Sequence, residues 1–385
     1  MSLALVDRHK VITVGGGPAG LLTAANIRGP NVVVIEASTR PGWPPHCTGL
    51  VSPDTARRFG VTDAITEVYR EAVFLDDEFR EICRIDGSPL AVRLSRPLLE
   101  EALAERVTSL GHRILYGTRV AEVSPSGCVS ILGRGTICGE RIVLAAGASP
   151  RFMRVFRAAR CRVIPGFEIR VRLNARVNED SFYTIHGWRV APQFFAWLVP
   201  LRDGREALIG IGGSHPVERL EELIQRLHRI GVEVSSIESH RGGRIVLGPP
   251  APSPLKGRLV GIGDVLCASK PFTGGGLYAI SMLAGPLAKF IEHDDDQLLL
   301  ETWNRLRSEL KAQYILTRAA RVFQPLWKLA LRAVCSAAAR GECRIDYDRH
   351  SSLVSCLTPR RGALRVGQEE AAERDSSRGL WFRAG

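Results

Sequence analysis

Residues 11–20, VITVGGGPAG, constrain this chain more than any other stretch. Val11, Ile12, Thr13 and Val14 form a short, largely β-branched run, the composition of a buried parallel strand. It leads into Gly15-Gly16-Gly17-Pro18-Ala19-Gly20, which fits G-x-G-x-x-G, and then into a helix predicted over residues 21–27. A second apolar strand over residues 32–35 ends in Glu36. Strand, glycines, helix, strand and acid in this register predict a dinucleotide site. Gly15 serves the tight turn, Gly17 the close approach of backbone to a pyrophosphate, and Gly20 the packing of helix on strand. The helix N-terminus faces the phosphates, and Glu36 accepts from a ribose hydroxyl.

With 385 residues the chain has length for two domains and a sizeable core. Its apolar fraction of 45% and charged fraction of 24% are those of a globular protein in water. The formal net charge of +12, carried mainly by arginine, suits an anionic partner such as a phosphate cofactor or an anionic lipid surface. The basic residues are scattered and not interleaved with aromatics, so no nucleic-acid module is expected. No secretory signal and no apolar run of about 20 residues appear, which predicts a cytoplasmic protein, with a membrane face as a second place for it. Nine cysteines without a C-x-x-C pair argue against zinc and iron–sulfur centres. Free thiols are the expectation for them, with a disulfide in the 335–356 group as the open alternative.

Beyond Glu36, residues 38–48 hold three prolines and a glycine and predict a loop on the ligand side of the sheet. His46, Cys47, Thr48 and Gly49 lie at its far end. Arg96 precedes a helix running to about residue 110, begun by Pro97 and ended by Gly111. It reads as either a surface charge or a phosphate clamp. Strands are expected at 113–116, 118–123 and 141–146. From 163 to 213 the strands alternate without intervening helices, which predicts an inserted antiparallel sheet, followed by an amphipathic helix over 216–230. The chain then returns to the first domain. A strand at 258–262 leads to Gly263-Asp264, and residues 270–276, KPFTGGG, open a helix over 277–291, a second anion-ready helix N-terminus. Helices over 298–311 and 312–339 carry apolar residues among many arginines, to cap the core or to face a membrane. Residues 359–385 have the composition of a disordered tail.

Together these motifs resemble the geranylgeranyl reductase family, within flavoproteins of the p-hydroxybenzoate hydroxylase type. The resemblance covers about residues 8–290. It implies an α/β fold with an α+β insertion: a Rossmann-like FAD-binding domain from 8–160 and 240–292, an antiparallel-sheet substrate domain over 161–239, and a C-terminal helical region over 293–358. The implied FAD contacts are Gly15, Gly17, Ala19, Gly20 and Glu36; the His46–Ser52 segment HCTGLVS with Cys47, Thr48 and Gly49; Arg96; Val120 through its backbone; and Asp264, Gly275, Gly276 and Leu277. Residues 195–200, FAWLVP, are similar to the family's Y-x-W-x-F-P box, with Phe195, Trp197 and Pro200 as the implied substrate wall. Phe195 stands where the family has tyrosine and Val199 where it has phenylalanine, so one hydroxyl is lost.

The activity implied is FAD-dependent reduction of isoprenoid double bonds, as in archaeal ether-lipid synthesis. Cys47 is the expected proton donor or gate and His46 its backup. No second nicotinamide fingerprint is present, since 210–213, GIGG, lies amid the antiparallel strands. The electrons are expected from NAD(P)H, ferredoxin or another external carrier. The same fold also allows a flavin monooxygenase or halogenase, or a flavin-containing lipid-binding or electron-transfer protein without turnover.

Overall fold

A computed structural model describes residues 9–357, apart from 30 and 159; the tail expected over 359–385 lies outside the described residues. The first sheet is built around His9–Val14. That strand pairs in parallel with Val32–Ile35 on one side and Gly135–Leu144 on the other. Arg113–Leu115 and Leu259–Gly261 extend the parallel core outward, and Leu255–Lys256 closes one edge antiparallel. Val32 to Ile35 and Ile142 to Leu144 are all buried. Such continuous apolar runs form where a sheet is covered on both faces. The helix Pro18–Asn26 (α1) packs against Arg96–Ser109 (α2) and against a later helix, described below.

The second sheet has eight strands. Arg162–Leu173, Ser181–His186, Ala196–Pro200, Glu206–Gly212 and Val234–Leu247 come from the expected insertion and its boundary. Ile65–Asp76, Glu81–Leu94 and the short Leu50–Val51 join them, although residues 8–160 were expected in the first domain. The physical reason is a long hairpin whose apolar positions, among them Tyr69, Val73, Leu75 and Ile85, find cover only on this sheet. Ser181–His186 pairs with Ile65–Asp76 in parallel, so the sheet is mixed. One face packs beneath the helix Pro216–Arg226 (α3) through Leu220 and Leu223.

Leu277–His293 (α4) returns to pack on α1. Gln297–Val322 (α5) runs through the expected break at residue 311, and the chain breaks instead at Phe323. Pro325, which has no N–H to donate, then stands in the first turn of Gln324–Ala339 (α6). Leu331 and Cys335 of α6 pack on the second face of the second sheet. Among the described residues no helix is long and apolar enough to cross a membrane.

The expectation of free thiols is overturned. Cys83–Cys335, Cys128–Cys138, Cys161–Cys267 and Cys343–Cys356 form disulfides, and Cys47 alone is free. Linear spacing does not reveal these pairs because tertiary pairing makes them. Cys128 and Cys138 stand directly opposite on neighbouring strands, while Cys83 and Cys335 are 252 residues apart. Within the 335–356 group, only Cys343 and Cys356 pair with each other.

Candidate functional site

One cavity of 760 Å³ runs between the two sheets, within the roughly 300–1,000 Å³ of small-molecule sites. Of the residues singled out from the sequence, Gly15, Gly17, Ala19, Glu36, His46, Cys47, Thr48, Gly49, Arg96, Val120, Phe195, Trp197, Asp264, Gly275, Gly276 and Leu277 all line it. Gly20 and Pro200 do not.

At one end, the backbone of Gly15 takes φ +105°, and a Cβ there would lie 2.4 Å from the Ala145 carbonyl oxygen. A Cβ on Gly20 would lie 1.9 Å from the Gly15 carbonyl oxygen, so α1 sits against its own loop only as glycine. A Cβ on Gly17 would meet nothing within 4 Å. The first turn of α1 is capped by no side chain and opens toward the cavity, so its N–H groups carry the positive end of the helix dipole there. Glu36 turns back on its own loop. Oε2 accepts from the Gly16 N–H at 2.5 Å and Oε1 from the Ser38 N–H at 2.6 Å, leaving each oxygen one further lone pair.

Midway, Arg96 is buried, which removes the surface-charge alternative. Its Nε donates to Glu100 Oε1 at 2.8 Å, and Glu100 Oε2 accepts from the Gly42 N–H at 3.1 Å. Burial works against the guanidinium's charge, but Glu100 and then Cys47 outweigh it, so its pKa lies above the usual value. Cys47 thus presents its thiol to a fixed cation. His46 borders the cavity's open space yet is surrounded by protein; burial first, then Arg96, lower its pKa and keep the imidazole neutral. Asp264 faces the same space. Burial pushes it up to about 6, against the pull of Arg96. Thr273 Oγ1 is buried with no partner among the described residues, next to the glycines that start α4.

Lys270 departs from the anion-site expectation. Its Nζ donates to Asp348 Oδ1 at 2.7 Å, in a fully buried pair, and lies 4.6 Å above the Tyr347 ring. Asp348 Oδ2 also accepts from Thr55 Oγ1 at 2.7 Å. Burial would raise the Asp348 pKa, but Lys270 and these donors hold it down to about 2. This knot draws Tyr347 and His350 into the cavity wall.

The far end is aromatic. His186 stacks on Phe195 at 5.3 Å and on Phe272 at 5.9 Å, with the Trp327 ring edge-on at 6.0 Å. Burial lowers its pKa to about 4, so it is neutral. Trp197 lies across Gly210, its partner on the next strand, where a Cβ would stand 2.3 Å from the indole. The Trp197 Nε1–H donates to Glu168 Oε2 at 2.7 Å. Thr48 donates to the same oxygen, and Arg241 Nε donates to Oε1 at 2.6 Å. Pro200, expected in the substrate wall, lies outside the cavity. Side chains alternate along a strand, so Ala196, Leu198 and Pro200 share the face opposite Trp197. The Pro200 carbonyl accepts from the Tyr69 hydroxyl at 2.6 Å. Glu168, His186 and the Lys270–Asp348 pair escape sequence reasoning. Glu168 shares a strand face with Arg170 and Arg172, so its sequence pattern gave no signal of burial.

The family model described as lycopene cyclase protein matches residues 10–329. A digeranylgeranylglycerophospholipid reductase of Methanosphaerula palustris is 25% identical over 311 residues, covering 73% of this chain and 75% of that protein. An uncharacterised protein of Methanocaldococcus jannaschii is 24% identical over 381 residues, covering 90% and 93%. Among solved structures, a geranylgeranyl bacteriochlorophyll reductase-like protein of Thermoplasma acidophilum superposes with a TM-score of 0.75 at 17% identity, covering 90% and 95%. The resemblance to geranylgeranyl reductases and the α/β fold it implies are both borne out by these relatives.

Proposed function

The chain belongs to the lycopene cyclase protein family, and from that premise we propose that it is an FAD-dependent oxidoreductase reducing C=C double bonds of isoprenoid, geranylgeranyl-type lipid chains. Ether lipids or their precursors are the substrate class. One observation carries this reading: a single cavity joins the glycine-loop end, through Cys47 and Arg96, to an apolar aromatic end. The residues fit FAD. Gly17 opens on empty space, Thr273 Oγ1 awaits a partner, and two helix N-termini face the cavity.

FAD bound in this cavity would supply hydride chemistry for one alkene carbon. The chain's own residues do the rest. The N–H groups of α1 around Ala19 and those of Gly275, Gly276 and Leu277 hold the phosphate-bearing span, and Gly20 seats α1 closely. Glu36 would accept from ribose hydroxyls with its remaining lone pairs, the Val120 backbone would hold the adenine, and Asp264 would hold the polar chain between. Thr48 and Gly49 would hold the ring end of the cofactor. Cys47 Sγ holds the proton for the second alkene carbon. The Arg96 guanidinium stabilises the thiolate left behind, and His46 returns a proton from solvent. Phe195 and Trp197 pack the prenyl chain and exclude water. An external donor, NAD(P)H, ferredoxin or another carrier, supplies the next two electrons. A cytoplasmic site against an anionic membrane face completes the reading.

Mass spectrometry of a digeranylgeranyl lipid after incubation with the chemically reduced flavoprotein tests it. Two hydrogens gained per double bond are expected. Incorporated oxygen or halogen would replace the reading with monooxygenase or halogenase chemistry. An isomer of unchanged mass would point to ring closure, the reaction named in the family's description. Flavin reoxidation without any lipid product would leave a binding or electron-transfer protein.

A further inference from the structure

The elbow between α5 and α6 exposes an unusual set of side chains. Ile315, Val322, Phe323, Leu326 and Leu329 are 66%, 71%, 57%, 59% and 60% exposed, which makes a clustered apolar surface and not isolated residues. From residue 310 to 341 the sequence holds no acid and six bases, Lys311, Arg318, Arg321, Lys328, Arg332 and Arg340. Lys328 pairs with Asp76 and Arg340 with Glu342. Among the described residues no ion pair takes Arg318, Arg321 or Arg332, all exposed. Although Arg321 is exposed along much of its side chain, neighbouring protein partly desolvates its guanidinium, and this and then the charge of Arg162 lower its pKa, so two guanidiniums crowd one edge of the patch.

The opposite face of α6 belongs to the cavity. Trp327 stands 5.3 Å from the Phe272 ring, Leu331 lines the cavity, and Cys335 fastens the helix to Cys83. Positions 327, 331 and 335 follow one helical stripe, and 326 and 329 lie across from it. A single helix therefore separates an exposed apolar, cationic surface from the aromatic end of the cavity.

We propose that this elbow docks on an anionic lipid bilayer, with α6 as the wall between bilayer and cavity. The apolar side chains enter the acyl boundary, and the arginines meet the headgroups, as in interfacial amphipathic helices. Charge decides between occupants. A second copy of the chain on a two-fold axis would set the same arginines against each other. The proposal rests on the reading that the cavity takes a prenyl chain.

Flotation of the full chain with phosphatidylcholine vesicles, with and without phosphatidylglycerol, tests it. Binding to the anionic vesicles alone is expected. The double substitution F323E/L326E is expected to weaken it at least about tenfold. R318Q/R321Q/R332Q is expected to abolish the preference for phosphatidylglycerol, as high salt does. Reduction of a digeranylgeranyl lipid in detergent micelles is expected to persist in both variants, which shows that they fold. No binding by the parent chain, or undiminished binding by both variants, would overturn docking and leave the reductase reading standing. Self-association abolished by F323E/L326E would overturn it in favour of an interface between copies. Vesicle binding with these sensitivities but no micelle turnover would support docking and count against the reductase reading.

Discussion

Trp197 and Cys47 are coupled through one carboxylate. Glu168 Oε2 accepts from the Trp197 indole N–H and from Thr48, the residue after Cys47. Arg241 neutralises the same group from the other side. Glu168 thereby fixes both the aromatic wall and the loop carrying the thiol. Removing one partner of such a buried pair leaves a charge uncompensated. Glu168→Ala is expected to lower stability by about 3 kcal/mol in urea unfolding and to raise KM for lipid. Glu168→Gln, which keeps an acceptor for the indole, is expected to recover most of the KM but little of the stability.

Gly210 makes room for that indole. Its backbone does not require glycine, since its φ lies outside the left-handed region; the clash with Trp197 does. Gly210→Ala is expected to cost about 1–3 kcal/mol and to displace the ring toward the cavity, narrowing it for substrate. Flavin content, read from the absorbance of purified protein, is expected to stay unchanged. In the double variant with Trp197→Leu, the stability loss is expected to be smaller than the sum of the two singles.

Cys47→Ser and Cys47→Ala are expected to lower alkene reduction by about a hundredfold or more, the scale of a lost general acid, with FAD retained. Turnover measured from chemically reduced protein checks this without involving the external donor. Unchanged turnover would remove the proton from Cys47.

The first sheet was legible because its signals are local: a β-branched run, three spaced glycines and an acid at the next strand end. The cavity's glycine end follows from the same stretch. The second sheet was legible only in part. The first strand of its hairpin, Ile65–Asp76, pairs with Ser181–His186 across 110 residues of chain, and no local pattern announces a partner that distant. Glu168 alternates with Ile169 on the strand and shares a face with Arg170 and Arg172, so its period reads as solvent-facing. The Cys47 loop, Trp197 and Arg241, closing over the middle of that strand, make the position buried. The Cys83–Cys335 and Cys161–Cys267 disulfides, 252 and 106 residues apart, were hidden for the same reason.

Chain closure sets which disulfide matters most. Cys83–Cys335 closes 252 residues and pins α6, whereas Cys128–Cys138 closes 10. Loop-closure entropy values them at about 5 and about 3 kcal/mol. Cys83→Ala/Cys335→Ala is therefore expected to lower Tm more than Cys128→Ala/Cys138→Ala. It should also increase hydrogen exchange in 324–339, a signature the hairpin variant should lack.

Asp264 and Asp348 predict opposite pH dependences in the protein without cofactor. Asp348 is held down to about 2 once Lys270 outweighs its burial, below the roughly 4 of an unfolded aspartate. Its contribution is present above pH about 4 and lost as pH falls toward 2. Asp264 is pushed up to about 6 by burial, so the native state holds its proton where the unfolded chain has released it. Its contribution is present below pH about 4 and lost as pH rises through about 6; with water reaching it from the cavity, that is about 2 kcal/mol. His186, lowered to about 4 by burial, works against Asp264 in this window, because charging it as pH falls destabilises the fold. The parent chain alone therefore hides the effect, and differences between variants reveal it. Asp264→Asn is expected to gain stability over the parent between pH 4 and 6 and to hold that gain above. Asp348→Asn is expected to lose it between pH 2 and 4 and remain lower above. Urea unfolding at stepped pH checks both signs, and a parallel pair of curves for Asp264→Asn and the parent would show that its carboxyl is not buried with a raised pKa.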